Sequence, residues 1–255
     1  MKYLKIFFFL FFSVLFFVFI NKELAFTFYA EQLFLKFHNN SLSIRVLNIS
    51  NLEKNAKANF LLGRIYFTKG LNKDNLFLSI KYFSKAIDIA EKGGKNPTDF
   101  SLLSQSYYGR GLSYGFLDDI YLLNAEKDFR KYIEIEDEVE KETGKRSYGS
   151  WAGYNDLAWI LYLQGDFKNG EIAAKDGLKM SYDNPWLLNM LGILQIEQDN
   201  CKEAKDNLEK AFKILNIIDE NKWGEAYSGD RRDRYKKGKE DMLESIKYNI
   251  KICTK

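Results

Sequence analysis

Proline is almost missing from this 255-residue chain, which has two in all. Long helices can therefore run with few interruptions. Cysteine is equally scarce, with only Cys201 and Cys253. Two cysteines are too few for a disulfide framework and lack the clustering of a zinc site. Both are expected to be free and half-buried; the alternative is a single bridge tying the C-terminal segment to the last helical hairpin. The lone histidine, His38, comes just after a hydrophobic stretch and lies outside the expected folded region. That position argues against a histidine base, a Ser-His-Asp triad and most metal centres. No sign of charge dominates either. The formal net charge is +3, and leaving out Lys2 and Lys5 brings it to 36 basic against 35 acidic side chains. Nothing electrostatic then calls for nucleic acid or an anionic surface as partner.

Catalytic signatures are missing too. There is no phosphate-cradling glycine loop, no H-E-x-x-H and no G-x-S-x-G elbow. The run "GDRRDR", Gly229 to Arg234, has the charges to hold an anion, but alternating charge reads as a solvated loop. Asp118 and Asp119 sit in an expected turn, where acids serve local hydrogen bonds. The residues point to a non-enzyme with no catalytic residue, cofactor, metal or small-molecule substrate.

What the chain does have is aromatic and apolar surface, including 21 Phe and 16 Tyr. Residues 1–20, "MKYLKIFFFLFFSVLFFVFI", carry fifteen residues from Ile6 to Ile20 with Ser13 as the sole polar one. That length suits a signal-peptide core or a slightly short transmembrane helix. Cleavage wants small residues at −3 and −1, yet Ala25 has Glu23 at −3 and Ala30 has Phe28. No cysteine comes after the run for lipoprotein processing. An uncleaved membrane anchor through residues 4–20 is therefore expected, with a removed signal as the alternative. Lys2 and Lys5 keep the tip in the cytoplasm by the positive-inside rule. In a bacterium this gives a single-pass inner-membrane protein with its C-terminal domain in the periplasm. Residues 21–51 are expected to be a juxtamembrane helix and a linker. The helix, "LAFTFYAEQLFLKF", either lies at the interface with Phe26, Phe28, Tyr29, Phe34 and Phe37 at headgroup level, or packs on the folded domain downstream. The linker is "HNNSLSIRVLNISN".

Downstream the sequence repeats itself. Offsetting Trp151–Asn184 by 34 residues matches Ala158 to Gly192, Gly170 to Ala204, Gly177 to Ala211 and Leu178 to Phe212. Each unit is an apolar-periodic run, a polar turn and a second apolar-periodic run of helical spacing. Two earlier units share the pattern with longer turns. The first has Gly63 and Tyr66, then Ser79, Phe83 and Ala86, with four extra residues in its turn around "LNKD". The second has Gly111 and Tyr114, then Ala125, Phe129 and Tyr132, its second helix running on through "EIEDEVEKE".

This pattern of small and aromatic positions resembles the tetratricopeptide repeat family, and the first unit's insertion is similar to the Sel1-like variant. The resemblance covers residues 52–216 as four repeats. It implies an all-α fold, a right-handed superhelical solenoid of helix-turn-helix repeats behind an N-terminal transmembrane helix. Residues 217–255 would close it with a loop and a capping helix bearing Met242, Leu243, Ile246 and Ile250 on one face. Trp223 and Tyr227 in that loop are expected to pack on the last repeat. Gly192 and Ala204 should be the contact points inside the last hairpin, and Ala211 the contact with the next layer. Cys201 is expected in the turn, packing the hairpin shut.

The resemblance also implies a concave protein-binding groove lined by each first helix. Its candidate residues here are Phe60, Arg64 and Phe67; Tyr108 and Leu112; Asn155, Trp159 and Tyr162; Trp186, Asn189 and Ile193. Phe60 and Arg64 stand where the family's chaperone-type carboxylate clamp has Lys and Asn, so that clamp is not expected. The groove would take a protein or peptide partner. The expected function is a non-enzymatic scaffold organising an envelope complex. Because the composition resembles that of spirochete proteins, the collar of a periplasmic flagellar motor is one such complex. The competing expectation is a soluble exported chaperone or assembly factor that binds extended peptides.

Overall fold

The computed structural model describes residues 22–49, 54–93, 97–146, 149–218 and 232–254. All regular structure among them is helical. The expected anchor at residues 1–20 lies outside the described residues, as do Trp223, Tyr227 and the Gly229–Asp230–Arg231 half of the charged loop. Among the described residues no helix is long and apolar enough to cross a membrane. The chain forms two compact units, Met1–Phe116 and Leu117–Lys255.

The first unit contains α1 (Lys22–Leu35), α2 (Asn40–Ile49), α3 (Ala56–Lys69), α4 (Lys73–Gly93) and α5 (Pro97–Gly115). The segment read as a linker is a helix. Asn39 caps it by accepting the Leu42 N–H at 3.0 Å. His38 takes a left-handed φ of 51° in the preceding turn. Ser43, which looks like a loop residue, donates its hydroxyl to the Ala30 carbonyl of α1 at 2.8 Å. Val46 and Leu47 then join Ala30, Leu33 and Phe34 against Ala58, Leu61, Leu62 and Ile65 of α3. Helices α1 and α2 are thus a hairpin of their own, packed on the first repeat.

The long turn expected in the first repeat is also corrected. Gly70–Asn72 is as short as Gln164–Asp166 in the third repeat. The four surplus residues extend the helices, one at the end of α3 and three at the start of α4. Asn72 turns the chain by accepting the Asn75 N–H at 3.0 Å, and Leu76, directly after the added residues, is buried. Further along α4, the fully buried Phe83 ring lies between two glycines. A Cβ on Gly63 of α3 would stand 2.8 Å from it, and one on Gly109 of α5 would stand 2.4 Å away. The hydroxyls of Ser79 and Ser113 meet at 2.9 Å beside this joint, each also within reach of a carbonyl, Gly63 and Gly109 respectively.

The second unit opens with a 3-10 turn at Asp119–Tyr121. It continues with α6 (Leu122–Thr143), α7 (Trp151–Leu163), α8 (Phe167–Met180), α9 (Pro185–Ile196), α10 (Cys201–Ile217) and α11 (Arg232–Ile252). Helix α6 does run on through the charged stretch. Helices α9 and α10 begin 34 residues after α7 and α8, and the turns repeat at the same offset. Gly165 and Asp199 are both left-handed, with φ of 76° and 57°. Gly165 N–H bonds Tyr162 and Asp166 N–H bonds Leu161, as Asp199 bonds Ile196 and Asn200 bonds Gln195. This is the paired bonding of a Schellman helix end. Gly192 faces Leu208, where a Cβ would stand 2.5 Å from Cγ and 3.2 Å from the Ala204 carbonyl oxygen. Gly192→Val is expected to cost about 1–3 kcal/mol through overpacking. A lower urea midpoint at unchanged m-value would register it.

The last hairpin is covered by α11. Ile246 is fully buried against Leu208, Ala211 and Leu215, with Met242, Leu243 and Ile250 half-buried around it. The expectation of free cysteines is overturned, and the alternative of a single bridge from the C-terminal segment to the last hairpin holds. Cys201 and Cys253 form a disulfide across a sequence separation of 52, with Cα atoms 5.1 Å apart. Nor is Cys201 a turn residue packing the hairpin shut. It is the first residue of α10, where its side chain faces the end of α11.

Candidate protein-binding surface

In each repeat the first helix carries the candidate residues, and the two units present separate sets. In the second unit Asn155, Trp159 and Tyr162 follow one another at spacings of four and three on α7, so they share a face. Asn189 and Ile193 hold the equivalent positions on α9. Asn184 sets the start of α9 by accepting the N–H groups of Trp186 and Leu187, both at 3.1 Å. Trp186 then stacks on Trp151 with ring centroids 5.3 Å apart. Trp159 is 44% exposed and stacks on Tyr162 at 5.4 Å. Tyr162 leans on Phe167 at 5.8 Å and reaches Glu197 with its hydroxyl at 3.5 Å. Burial and this carboxylate raise its pKa, so the phenol stays protonated.

Polar groups accompany the rings. The Asn155 side-chain amide donates to Asp156 at 3.3 Å. The Asn189 side-chain oxygen is enclosed and has no hydrogen-bond partner. An enclosed acceptor without a donor is unfavourable by about 1–3 kcal/mol. Ile193 is half-buried on the same face of α9. The surface thus combines rigid aromatic area with amide hydrogen bonding, which suits a polypeptide better than a small charged metabolite.

The first unit's set is more enclosed. Phe60 is 8% exposed and packs on Phe83 at 5.9 Å, so its ring belongs to the core. Arg64 lies over the rings of Phe34 and Phe60, 5.4 and 5.6 Å from their centroids. Burial lowers its pKa, with Glu31 pulling the other way. Phe67 is half-buried and tilts against the exposed Phe116 at 5.9 Å. Tyr108 and Leu112 are half-buried on α5.

Several participants do not stand out in the sequence. Phe167 completes the row begun by Trp159 and Tyr162, Glu197 accepts from the Tyr162 hydroxyl, and Trp151 pairs separately with Trp186. Only the near-period spacing of Trp151 and Trp186 hints at their pairing. Gly109, two residues before the repeat's small position, is a glycine that Phe83 requires. The charged cluster around Arg146 is architectural. Burial opposes its charge, but hydrogen bonds to Tyr154, Glu140 and Asp137 outweigh that and raise its pKa. The Glu140 contact is 2.9 Å, so the chain after α6 is tied to α6 and α7. Among the described residues no three His, Cys, Asp or Glu side chains come together as a metal site would need.

No family model matches the sequence, and no curated protein does. Solved structures do resemble it. PilW, a widely conserved type IV pilus biogenesis factor, aligns over 91% of this chain and 93% of its own at 12% identity and a TM-score of 0.57. The TPR-like repeats of a Podospora anserina kinesin light chain align over 74% and 93%, at 12% identity and 0.55. MamA RS-1 aligns over 77% and 96%, at 13% identity and 0.55. The chain has the fold of the tetratricopeptide-repeat proteins.

Proposed function

We propose that this protein is a non-enzymatic interaction scaffold that holds a protein partner on the faces of the first helices of its repeats. The observation that carries the reading is the half-exposed aromatic row Trp159–Tyr162–Phe167 on α7 and the start of α8. In an architecture built on tight small-to-large contacts, such a row has no packing role to account for its exposure. Rigid aromatics with adaptable amide groups are what protein interfaces concentrate.

In this reading the repeats stand in the periplasm, held to the inner membrane by residues 4–20. The Cys201–Cys253 bridge supports export, because disulfides persist in oxidising compartments. The fold likeness to a pilus biogenesis factor is in keeping with an envelope role. The flagellar collar of a spirochete is the narrowest form of the proposal, and sequence composition is its support.

Affinity purification of the full chain under mild crosslinking tests the scaffold. One recurring set of envelope proteins is the expected capture, whereas many unrelated nascent chains would favour an exported chaperone. With the captured partner in hand, Trp159→Ala and Tyr108→Ala are each expected to weaken binding by up to about thirtyfold, the scale of an interface hot spot. Trp159→Ala should move the thermal transition far less than a core substitution, because its ring is 44% exposed and the ring contact it makes is the stack on Tyr162. Unchanged affinity in both variants would reject the first-helix faces as the binding surface.

A further inference from the structure

Helix α1 is apolar on two faces. Thr27, Ala30, Leu33 and Phe34 are buried, and the last three join the core shared with α2 and α3. A second arc is bare. Leu24, Phe28 and Leu35 recur at spacings of four and seven, and Tyr29 flanks them. Phe28 is 59% exposed, and Phe37, just past the helix end, is 69% exposed. A helix that is apolar nearly all round belongs where both sides are covered. The first unit covers one side only.

The sequence indicates what covers the other. The fifteen-residue run Ile6–Ile20, with its single serine, ends two residues before α1 begins at Lys22. A chain leaving an apolar core of that length reaches the headgroup layer at about this point. Aromatic side chains concentrate in that layer, with the ring in the apolar boundary and any hydroxyl in water. Tyr29, Phe28 and Phe37 supply such side chains. The charge in the middle of the helix is already matched, since Glu31 pairs with Lys57 of α3 at 2.8 Å. Residues 22–116 carry 13 Lys and Arg against 7 Asp and Glu, so a neutral lipid is the probe that isolates the apolar attraction from any pull of anionic headgroups.

We propose that the exposed face of α1, formed by Leu24, Phe28, Tyr29 and Leu35 with Phe37 beyond its end, lies in the headgroup region of the lipid bilayer. The first unit is then seated on the membrane surface through this helix instead of hanging from a free tether. This rests on the anchor reading above and adds an orientation to it.

The test uses the full chain reconstituted in phosphatidylcholine vesicles, with bimane attached in turn at Phe28→Cys, Phe37→Cys and, as control, Asp88→Cys on α4. All three positions are solvent-facing within the unit, so the fold is not at risk. A nitroxide lipid labelled at the headgroup is expected to quench positions 28 and 37 at least twofold and to leave position 88 unchanged. Vesicle-bound protein whose position 28 is quenched by aqueous iodide and not by the lipid overturns the seating while the anchor stands. Position 28 shielded from both quenchers means that a second copy covers the face, which also overturns it. Protein that fails to float with the vesicles overturns the anchor and the seating together.

Discussion

Replacing Phe83 with alanine is expected to lower the unfolding free energy of the first unit by about 3–5 kcal/mol. The ring is 1% exposed and meets backbone on both sides, at Gly63 of α3 and Gly109 of α5. The cost of a large-to-small change depends on how far the surroundings can collapse into the space. Here two walls are glycine backbone within helices, with no side chain to swing inward, which favours the upper part of the range. All four tryptophans lie after Leu117, so indole fluorescence follows the second unit while far-ultraviolet dichroism follows both. The loss should appear in the helicity transition. A shift worth less than about 1 kcal/mol, below the usual range for a buried phenylalanine, would mean that Phe83 does not join α3, α4 and α5.

Breaking the Cys201–Cys253 bridge is expected to cost the second unit about 4 kcal/mol, the loop-closure value for a separation near 52 residues. The effect should be large because α11 has few other holds. Among its described side chains Ile246 is the fully buried one, and Met242, Leu243 and Ile250 add partial contacts. Cys253→Ser, or dithiothreitol on the native chain, should move the fluorescence transition to lower urea while leaving the helicity of the first unit in place. Cys201→Ser should match it, and the double variant should add nothing further. Additive losses from the two single variants would mean that each cysteine stabilises the unit on its own.

Most of the repeat architecture was legible because its signal is redundant. Gly170 and Ala204, Gly177 and Ala211, and the turn residues Gly165 and Asp199 all agree on the same 34-residue offset, and the helices start at that offset. The capping helix was legible from its single apolar stripe. What stayed hidden depends on contacts distant in sequence. The segment from Asn39 to Ile49 looks like a loop because asparagine and serine favour turns, yet Asn39 caps the helix and Ser43 bonds a carbonyl thirteen residues back. Asn72 and Asp74 likewise suggest a long turn, and the first of them simply caps α4's opening turn. Two cysteines 52 residues apart carry no local sign of pairing; only the return of α11 across α10 brings them together. The candidate surface was legible by position and not by exposure. Phe60 and Asn155 hold equivalent places in their repeats, but Phe83 draws Phe60 into the core while Asn155 stays half-exposed.

The bridge also changes the topology of the chain. From Cys201 to Cys253 the polypeptide is a closed covalent ring that holds α10, residues 219–231 and α11. A single cut by a protease anywhere inside that ring opens it without dividing the molecule. The cap stays attached to its hairpin, and the two pieces part only when a reductant reaches the sulfurs.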